Sequence, residues 1–302
     1  MKDRIKVAAL VGATGVGKSA VAVGVAERAN AEIVSVDSMQ IYRGMEAGTD
    51  KPTSEMRRRV PHHMLDLFDP AHEVTVAEFQ GLARAWVDEV AARGSLPLLV
   101  GGSGLYFRAV VDELDFPPRS LEVREELEAE AERVGPEALH ARLAELDPAA
   151  AARIESRNAR RTVRALEVIE LTGRPFSENA DAWERFESVY EVRVAGLTRP
   201  RDELFARIER RVDEMLAAGL VDEVRALEER GLSRTARQAL GYRQVLEAAD
   251  RQDPVAIRDE IVRATKRFAR RQDAWFRADP RITWFEASEK GLAEALVRYL
   301  GS

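Results

Sequence analysis

The chain contains no cysteine. Disulfide bridges, thiolate nucleophiles and cysteine-ligated zinc are therefore excluded, and a cytoplasmic location is expected. Histidine is scarce, with four among 302 residues, which leaves little room for a histidine-built metal centre. No run of 18 or more apolar residues occurs, so no membrane-spanning helix is expected. The first apolar run, residues 5–11, follows Met1-Lys2-Asp3-Arg4 directly. It is too short for a secretory signal, and no small-residue cleavage site comes after it. An excess of basic charge is also missing: 46 Lys and Arg stand against 52 Asp and Glu, a net charge of −6. That balance argues against a generic nucleic-acid binder, although binding depends on local patches rather than on the sum.

What is present suits a folded protein of one large or two modest domains, with 45% hydrophobic residues to build a core. Over roughly the first 115 residues, strands alternate with helices, which points to a parallel sheet covered on both faces. Strand patterns cover residues 5–11, 32–37 and 96–100. Helical patterns cover 18–29 and 76–93, the latter with Phe79, Leu82, Ala83, Trp86, Val87 and Val90 on one face. Pro117-Pro118 then breaks the chain. Residues 120–172 are highly charged and helix-forming, and Thr172-Gly173-Arg174-Pro175 stops them. A strand over 190–197, long helices and a short last strand over 281–285 follow. The reading is an α/β fold: a P-loop NTPase-like parallel sheet flanked by helices, with a helical insertion domain. Its parts are a first core segment (1–118), the insertion (119–175) and a second core segment with C-terminal helices (176–302).

Gly12-Ala13-Thr14-Gly15-Val16-Gly17-Lys18-Ser19 fits the pattern G-x-x-x-x-G-K-[ST] at every position. The glycines let successive backbone N–H groups turn inward onto phosphate oxygens, Lys18 adds a positive charge, and the Ser19 hydroxyl can ligate Mg²⁺. The helix that follows points its N-terminus at the same anion. The strand before and the helix after are the context this loop needs.

The rest of an ordinary ATPase is missing. Such enzymes commonly end an apolar strand in an Asp that helps to hold Mg²⁺, but here Leu98-Leu99-Val100 runs into Gly101-Gly102-Ser103-Gly104. A carboxylate ends the second strand instead, as Asp37. Ligands of open α/β sheets bind beyond the strand C-termini, so Asp37 and Ser103 should both face the P-loop. Asp37 is read either as a proton acceptor or as a turn or capping residue, and spacing alone does not separate the two. For His62-His63, adjacent residues on an extended chain point apart, so packing or hydrogen bonding is favoured over a metal pair.

Six segments in order resemble the tRNA dimethylallyltransferase family, the bacterial isopentenyl-tRNA transferases. They are the P-loop; Asp37-Ser38-Met39-Gln40-Ile41-Tyr42-Arg43-Gly44-Met45 with Gly48-Thr49-Asp50-Lys51-Pro52; Pro61-His62-His63-Met64-Leu65-Asp66; Gly101-Gly102-Ser103-Gly104-Leu105-Tyr106; Arg164-Ala165-Leu166-Glu167-Val168; and Leu240-Gly241-Tyr242-Arg243-Gln244 with Arg270-Arg271-Gln272. The resemblance implies transfer of a dimethylallyl group from dimethylallyl diphosphate to N6 of the adenosine at tRNA position 37, beside the anticodon. By the same resemblance, Asp37 takes the amine proton and Ser103, where many members carry Thr, sits beside the reacting centre. Gly12 to Ser19, Arg207 and Arg211 hold the diphosphate, with Mg²⁺ on Ser19. It further implies tRNA contacts at Asp37, Ser38, Met39, Gln40, Arg124, Arg160, Arg161, Thr162, Val163, Arg164, Gln238, Gly241, Tyr242, Arg243, Arg270, Arg271, Gln272, Trp275 and Arg277. A monomer is expected.

The charge pattern carries some of this independently. Arg157, Arg160, Arg161 and Arg164 fall at spacings that place them on one helix face. Arg263, Lys266, Arg267, Arg270, Arg271 and Arg277 lie along a second helix, whose packed side reads as Ile261, Val262, Thr265, Phe268, Ala269, Gln272, Trp275 and Phe276. Such stripes can follow a phosphate backbone; on the charges alone, a solvated, salt-bridged face is the expected reading. Two other functions compete: a small-molecule or nucleoside kinase, and an RNA-binding regulator with a vestigial P-loop. The intact Lys18-Ser19 pair and Asp37 weigh against the second.

Overall fold

The computed structural model describes residues 4–179, 183, 185–248 and 253–301; the opening Met1-Lys2-Asp3 lies outside them. The chain divides into two compact units, one formed by Met1–Asp112 with Ser188–Ser302 and the other by Glu113–Glu187.

The first unit is built on six strands: β1 (Lys6–Gly12), β2 (Ala31–Ser35), β3 (His62–His63), β4 (Leu96–Gly101), β5 (Glu191–Thr198) and β6 (Ile282–Glu286). They form one sheet in the order β3-β2-β4-β1-β5-β6. Every pairing is parallel. The central strand β1 explains why: residues 7–12 are all buried, as a strand covered on both faces must be. Its side chains alternate between two cores. Val7, Ala9 and Val11 join Phe79, Phe107, Ile261 and Phe276 on one face. Ala8 and Leu10 join Ala22, Val25, Leu292 and Leu296 on the other. The first face is covered by the helices Val76–Ala92, Gly104–Val111 and Pro254–Arg277, the second by Lys18–Ala29 and Leu292–Leu300. The strand β3 is absent from the sequence reading, because two residues carry no period.

The second unit contains the helices Leu121–Val134, Pro136–Leu146, Pro148–Arg153 and Ala159–Thr172 around Leu127, Leu139, Leu143, Val163 and Leu166. Gly173 ends the last helix in the left-handed conformation, at φ 68°, where a Cβ would be strained. The stretch read as 119–175 falls inside this unit, which itself runs from 113 to 187. One detail of the charge pattern is corrected. Arg157 precedes the N-cap Asn158, so it is off the helix and shares no helical face with Arg160, Arg161 and Arg164. Its partner is Glu137, at 3.0 Å.

Candidate active site

The strands β1, β2 and β4 end at Gly12, Ser35 and Gly101, side by side at one edge of the sheet. Three loops leave this edge and supply the candidate chemistry.

The P-loop joins β1 to the helix Lys18–Ala29. Gly15 and Gly17 take φ 81° and 108°, a backbone that side chains resist. Gly12 is required by space as well: a Cβ there would lie 2.6 Å from the Leu197 carbonyl oxygen on β5. Lys18 Nζ donates to the carbonyl oxygens of Gly12 (3.0 Å) and Ala13 (2.9 Å). Burial pushes its pKa down to about 8, against the upward pull of Asp50 and Asp37. The helix Arg201–Ala217 brings two more cations. Arg207 Nε donates to the Gly15 carbonyl at 2.8 Å, and Arg211 donates to Thr14 Oγ1 at 3.1 Å and to Asp50 Oδ2 at 3.0 Å. Three positive side chains thus converge on a backbone nest, an arrangement suited to a polyanion.

The loop after β2 carries Asp37. Its Oδ1 accepts the Met39 N–H at 2.9 Å, so the turn-forming role is real. Its N–H donates to Ser35 Oγ at 3.3 Å, and Ser35 Oγ donates in turn to Gln40 Oε1 at 2.8 Å. Gln40 Nε2 then donates to the carbonyls of Thr49 (3.1 Å) and Asp50 (2.9 Å). Burial raises the Asp37 pKa above the ordinary carboxylate value; the Met39 N–H and the Lys18 charge oppose it. A carboxylate held rigidly and made more basic is suited to accepting a proton.

The loop after β4 carries Ser103. It occupies the N-cap of the helix Gly104–Val111 yet makes no capping hydrogen bond, so its hydroxyl is not spent on the helix. A Cβ on Gly104 would fall 2.0 Å from the Trp275 ring. Only glycine lets that indole lie against the first turn.

A model of the IPP transferase family matches residues 40–279, and a model described as isopentenyl transferase matches residues 5–65. The chain belongs to the IPP transferase family. A relative named tRNA dimethylallyltransferase from Streptomyces avermitilis is 54% identical over 292 residues, covering 96% of this chain and 93% of that one. Among solved structures, a tRNA isopentenylpyrophosphate transferase from Bacillus halodurans matches with a TM-score of 0.72 and 40% identity, over 98% of this chain and 95% of that one. A tRNA delta(2)-isopentenylpyrophosphate transferase from Staphylococcus epidermidis matches with a TM-score of 0.69 and 30% identity, over 98% and 97%. These matches favour prenyl transfer over the kinase reading.

The residues that the resemblance marks for tRNA are placed unevenly. In the first unit of this IPP transferase, Gln238, Arg243, Arg270, Arg271 and Arg277 are exposed, and Ser38 and Met39 are half-buried beside Asp37. Arg270 lies over the Phe205 ring at 5.4 Å, and Arg277 over Trp284 at 4.7 Å. Gln40 is committed to the loop bonds above. Gly241 is a buried N-cap at φ 89°, and Tyr242 is fully buried, its hydroxyl donating to Glu223. Gln272 is buried and Trp275 half-buried. In the second unit, Arg160 and Arg161 are exposed, whereas the side chains of Thr162 and Val163 are in the core. Arg124 (2.6 Å) and Arg164 (2.9 Å) both pair with the fully buried Glu167. Burial alone would raise the Glu167 pKa, but hydrogen bonds from Arg164, Arg124 and the Ser120 N–H hold it below the ordinary range.

Sequence reasoning passed over Asp50, Glu223 and Glu167 as site-building residues. Asp50 carried a signal, since it lies in Gly48-Thr49-Asp50-Lys51-Pro52. Glu223 carried none: it binds the N–H groups of Glu46 and Ala47 from far along the chain. The two histidines part company as expected. His62 Nδ1 meets the Val60 carbonyl at 2.7 Å, while His63 meets Glu32 and stacks on Trp86. Among the described residues, no group of three or more His, Cys, Asp or Glu is placed to hold a metal.

Proposed function

We propose that this chain transfers a dimethylallyl group from dimethylallyl diphosphate to N6 of the adenosine at tRNA position 37. The observation that carries this reading is the convergence of a three-cation P-loop with a half-buried Asp37 of raised pKa and an uncommitted Ser103, at an edge where β4 ends without a metal-binding Asp.

In the reaction the adenosine amine attacks C1 of the donor. The N6–C1 bond forms and the C1–O bond breaks. Asp37 takes the amine proton, and diphosphate leaves with the bonding electrons. Lys18, Arg207, Arg211 and the inward N–H groups of the P-loop neutralise the charge that develops on the leaving group. Ser103 lies at the head of its helix to orient the reacting carbon. The lone Ser19 hydroxyl, a hard oxygen donor, fits a Mg²⁺ ion held mainly by the diphosphate and water; such an ion would offset further charge on the leaving group.

An internal base must be taken out of its stack before it can react. The exposed Arg270, Arg271 and Arg277 of the first unit, and Arg160 and Arg161 of the second, are offered to the phosphate backbone of the anticodon stem-loop. Replacing residues 113–187 by a short linker should abolish tRNA binding and spare diphosphate binding. Unchanged tRNA affinity would refute the role of the second unit.

The function is tested by incubating the protein with unmodified tRNA, Mg²⁺ and either labelled dimethylallyl diphosphate or labelled ATP. Label passing from the prenyl donor to tRNA is the expected result. Phosphoryl transfer from ATP without prenylation would overturn it.

A further inference from the structure

Gln272 sits on the inner side of the Pro254–Arg277 helix, 8% exposed, next to the outward Arg270 and Arg271. The family resemblance groups it with those arginines as a tRNA contact. Its geometry points inward. Oε1 accepts the Thr14 N–H at 2.9 Å, and Nε2 donates to the Gly102 carbonyl at 2.6 Å. An N–H can only donate and a carbonyl can only accept, so the two partners admit one orientation of the amide. Space is cleared for it: a Cβ on Gly102 would lie 2.5 Å from Nε2.

We propose that Gln272 is a positioning residue that ties the diphosphate loop to the loop carrying Ser103, and so sets the separation between leaving group and reacting carbon. This rests on the prenyl-transfer reading above. The paired register of β1 and β4 ends at Val11 and Gly101. Beyond it the Gln272 carboxamide bridges the two loops from Thr14 to Gly102. Thr14 is fixed from its other side by Arg211 at Oγ1. A shift of one loop against the other would loosen the diphosphate cradle slightly, leave tRNA bound and misplace the reacting atoms. Such errors cost rate far more than affinity.

Three variants test the tie: Gln272→Leu removes both bonds, Gly102→Ala pushes the amide out from the opposite side, and Gln272→Glu keeps the acceptor but loses the donor. Gln272→Leu and Gly102→Ala should each lower kcat by about 30-fold or more, leave the KM for tRNA within about twofold, and weaken inorganic pyrophosphate binding by about fivefold. The double variant should lose little more than either single one, because both break one contact. Gln272→Glu should be poor at about pH 8 and recover relative to wild type towards about pH 6, as a protonated carboxyl regains both bonds. A raised KM for tRNA with unchanged kcat and pyrophosphate affinity would make Gln272 an RNA contact and overturn the proposal. If Gln272→Leu does not fold, Gly102→Ala and the pH profile of Gln272→Glu decide. If wild type transfers no prenyl group, the function reading fails, while equal pyrophosphate affinity in wild type and Gln272→Leu overturns the tie by itself.

Discussion

Asp50 Oδ2 accepts a hydrogen bond from Arg211 at 3.0 Å, on the loop that Gln40 anchors through its carbonyls. The Asp50 side chain is 57% exposed, so the pair adds about 1 kcal/mol or less to stability. Its effect is to park the Arg211 guanidinium beside Thr14. Arg211→Ala should therefore raise the KM for the prenyl donor about 10- to 100-fold with tRNA affinity unchanged, and Asp50→Ala should do the same more weakly. Steady-state kinetics with each substrate varied separately would check both.

Two opposed titrations set the expected pH profile. Asp37 must be ionised to accept a proton, and burial raises its pKa, so kcat/KM should climb with pH through that raised value. Lys18 must be protonated to hold the diphosphate, and burial brings it down to about 8, so the rate should fall above that point. The profile is a bell. Lys18→Arg should remove the alkaline limb, since guanidinium does not titrate there.

Asp37→Asn keeps the turn-forming oxygen for the Met39 N–H but loses the proton acceptor. It should lower kcat by about 10²- to 10⁴-fold with tRNA binding and melting temperature near wild type. Near-normal turnover in a single-turnover assay would leave Asp37 a turn residue only.

Glu167 has no exposure and holds both Arg124 and Arg164. Glu167→Ala strands two part-buried cations and should destabilise the second unit by about 3–5 kcal/mol, readable by denaturant unfolding of the whole chain. Because its folded pKa is depressed, its contribution is complete at neutral pH and disappears as acid protonates it below the ordinary carboxylate range. By contrast, Arg160→Ala with Arg161→Ala should leave stability alone, weaken tRNA binding and flatten its salt dependence by about one to two units of slope.

The sheet was legible because its strands are buried on both faces and read as short apolar runs between glycines and charged helices. The ranges 5–11, 96–100 and 190–197 overlap the strands Lys6–Gly12, Leu96–Gly101 and Glu191–Thr198 to within a residue at each end. The P-loop was legible because its residues are contiguous. The rest of the site depends on partners far apart in sequence. Arg211 meets Thr14 and Asp50 across 197 and 161 positions, and no local pattern records such pairs. The segments carrying Thr162, Val163 and Tyr242 each read as one functional stretch in sequence, but folding sends these side chains into cores and leaves their neighbours Arg161 and Arg243 outside. A period of 3.6 sorts faces only once the helix start is known, which is why Arg157 was misplaced.

The backbone leaves the first unit after Asp112 and re-enters it at Ser188, and these two residues form an antiparallel bridge. Ser188 Oγ and the Val189 N–H both donate to the Val111 carbonyl, at 2.8 and 2.9 Å. For the sheet, everything between is a closed loop whose ends are already joined. Closing such a loop grows costlier only as the logarithm of its length, about 0.6 kcal/mol per doubling. The segment is thus a cassette. Its length can drift, or its core be exchanged by design, while the catalytic edge keeps its register.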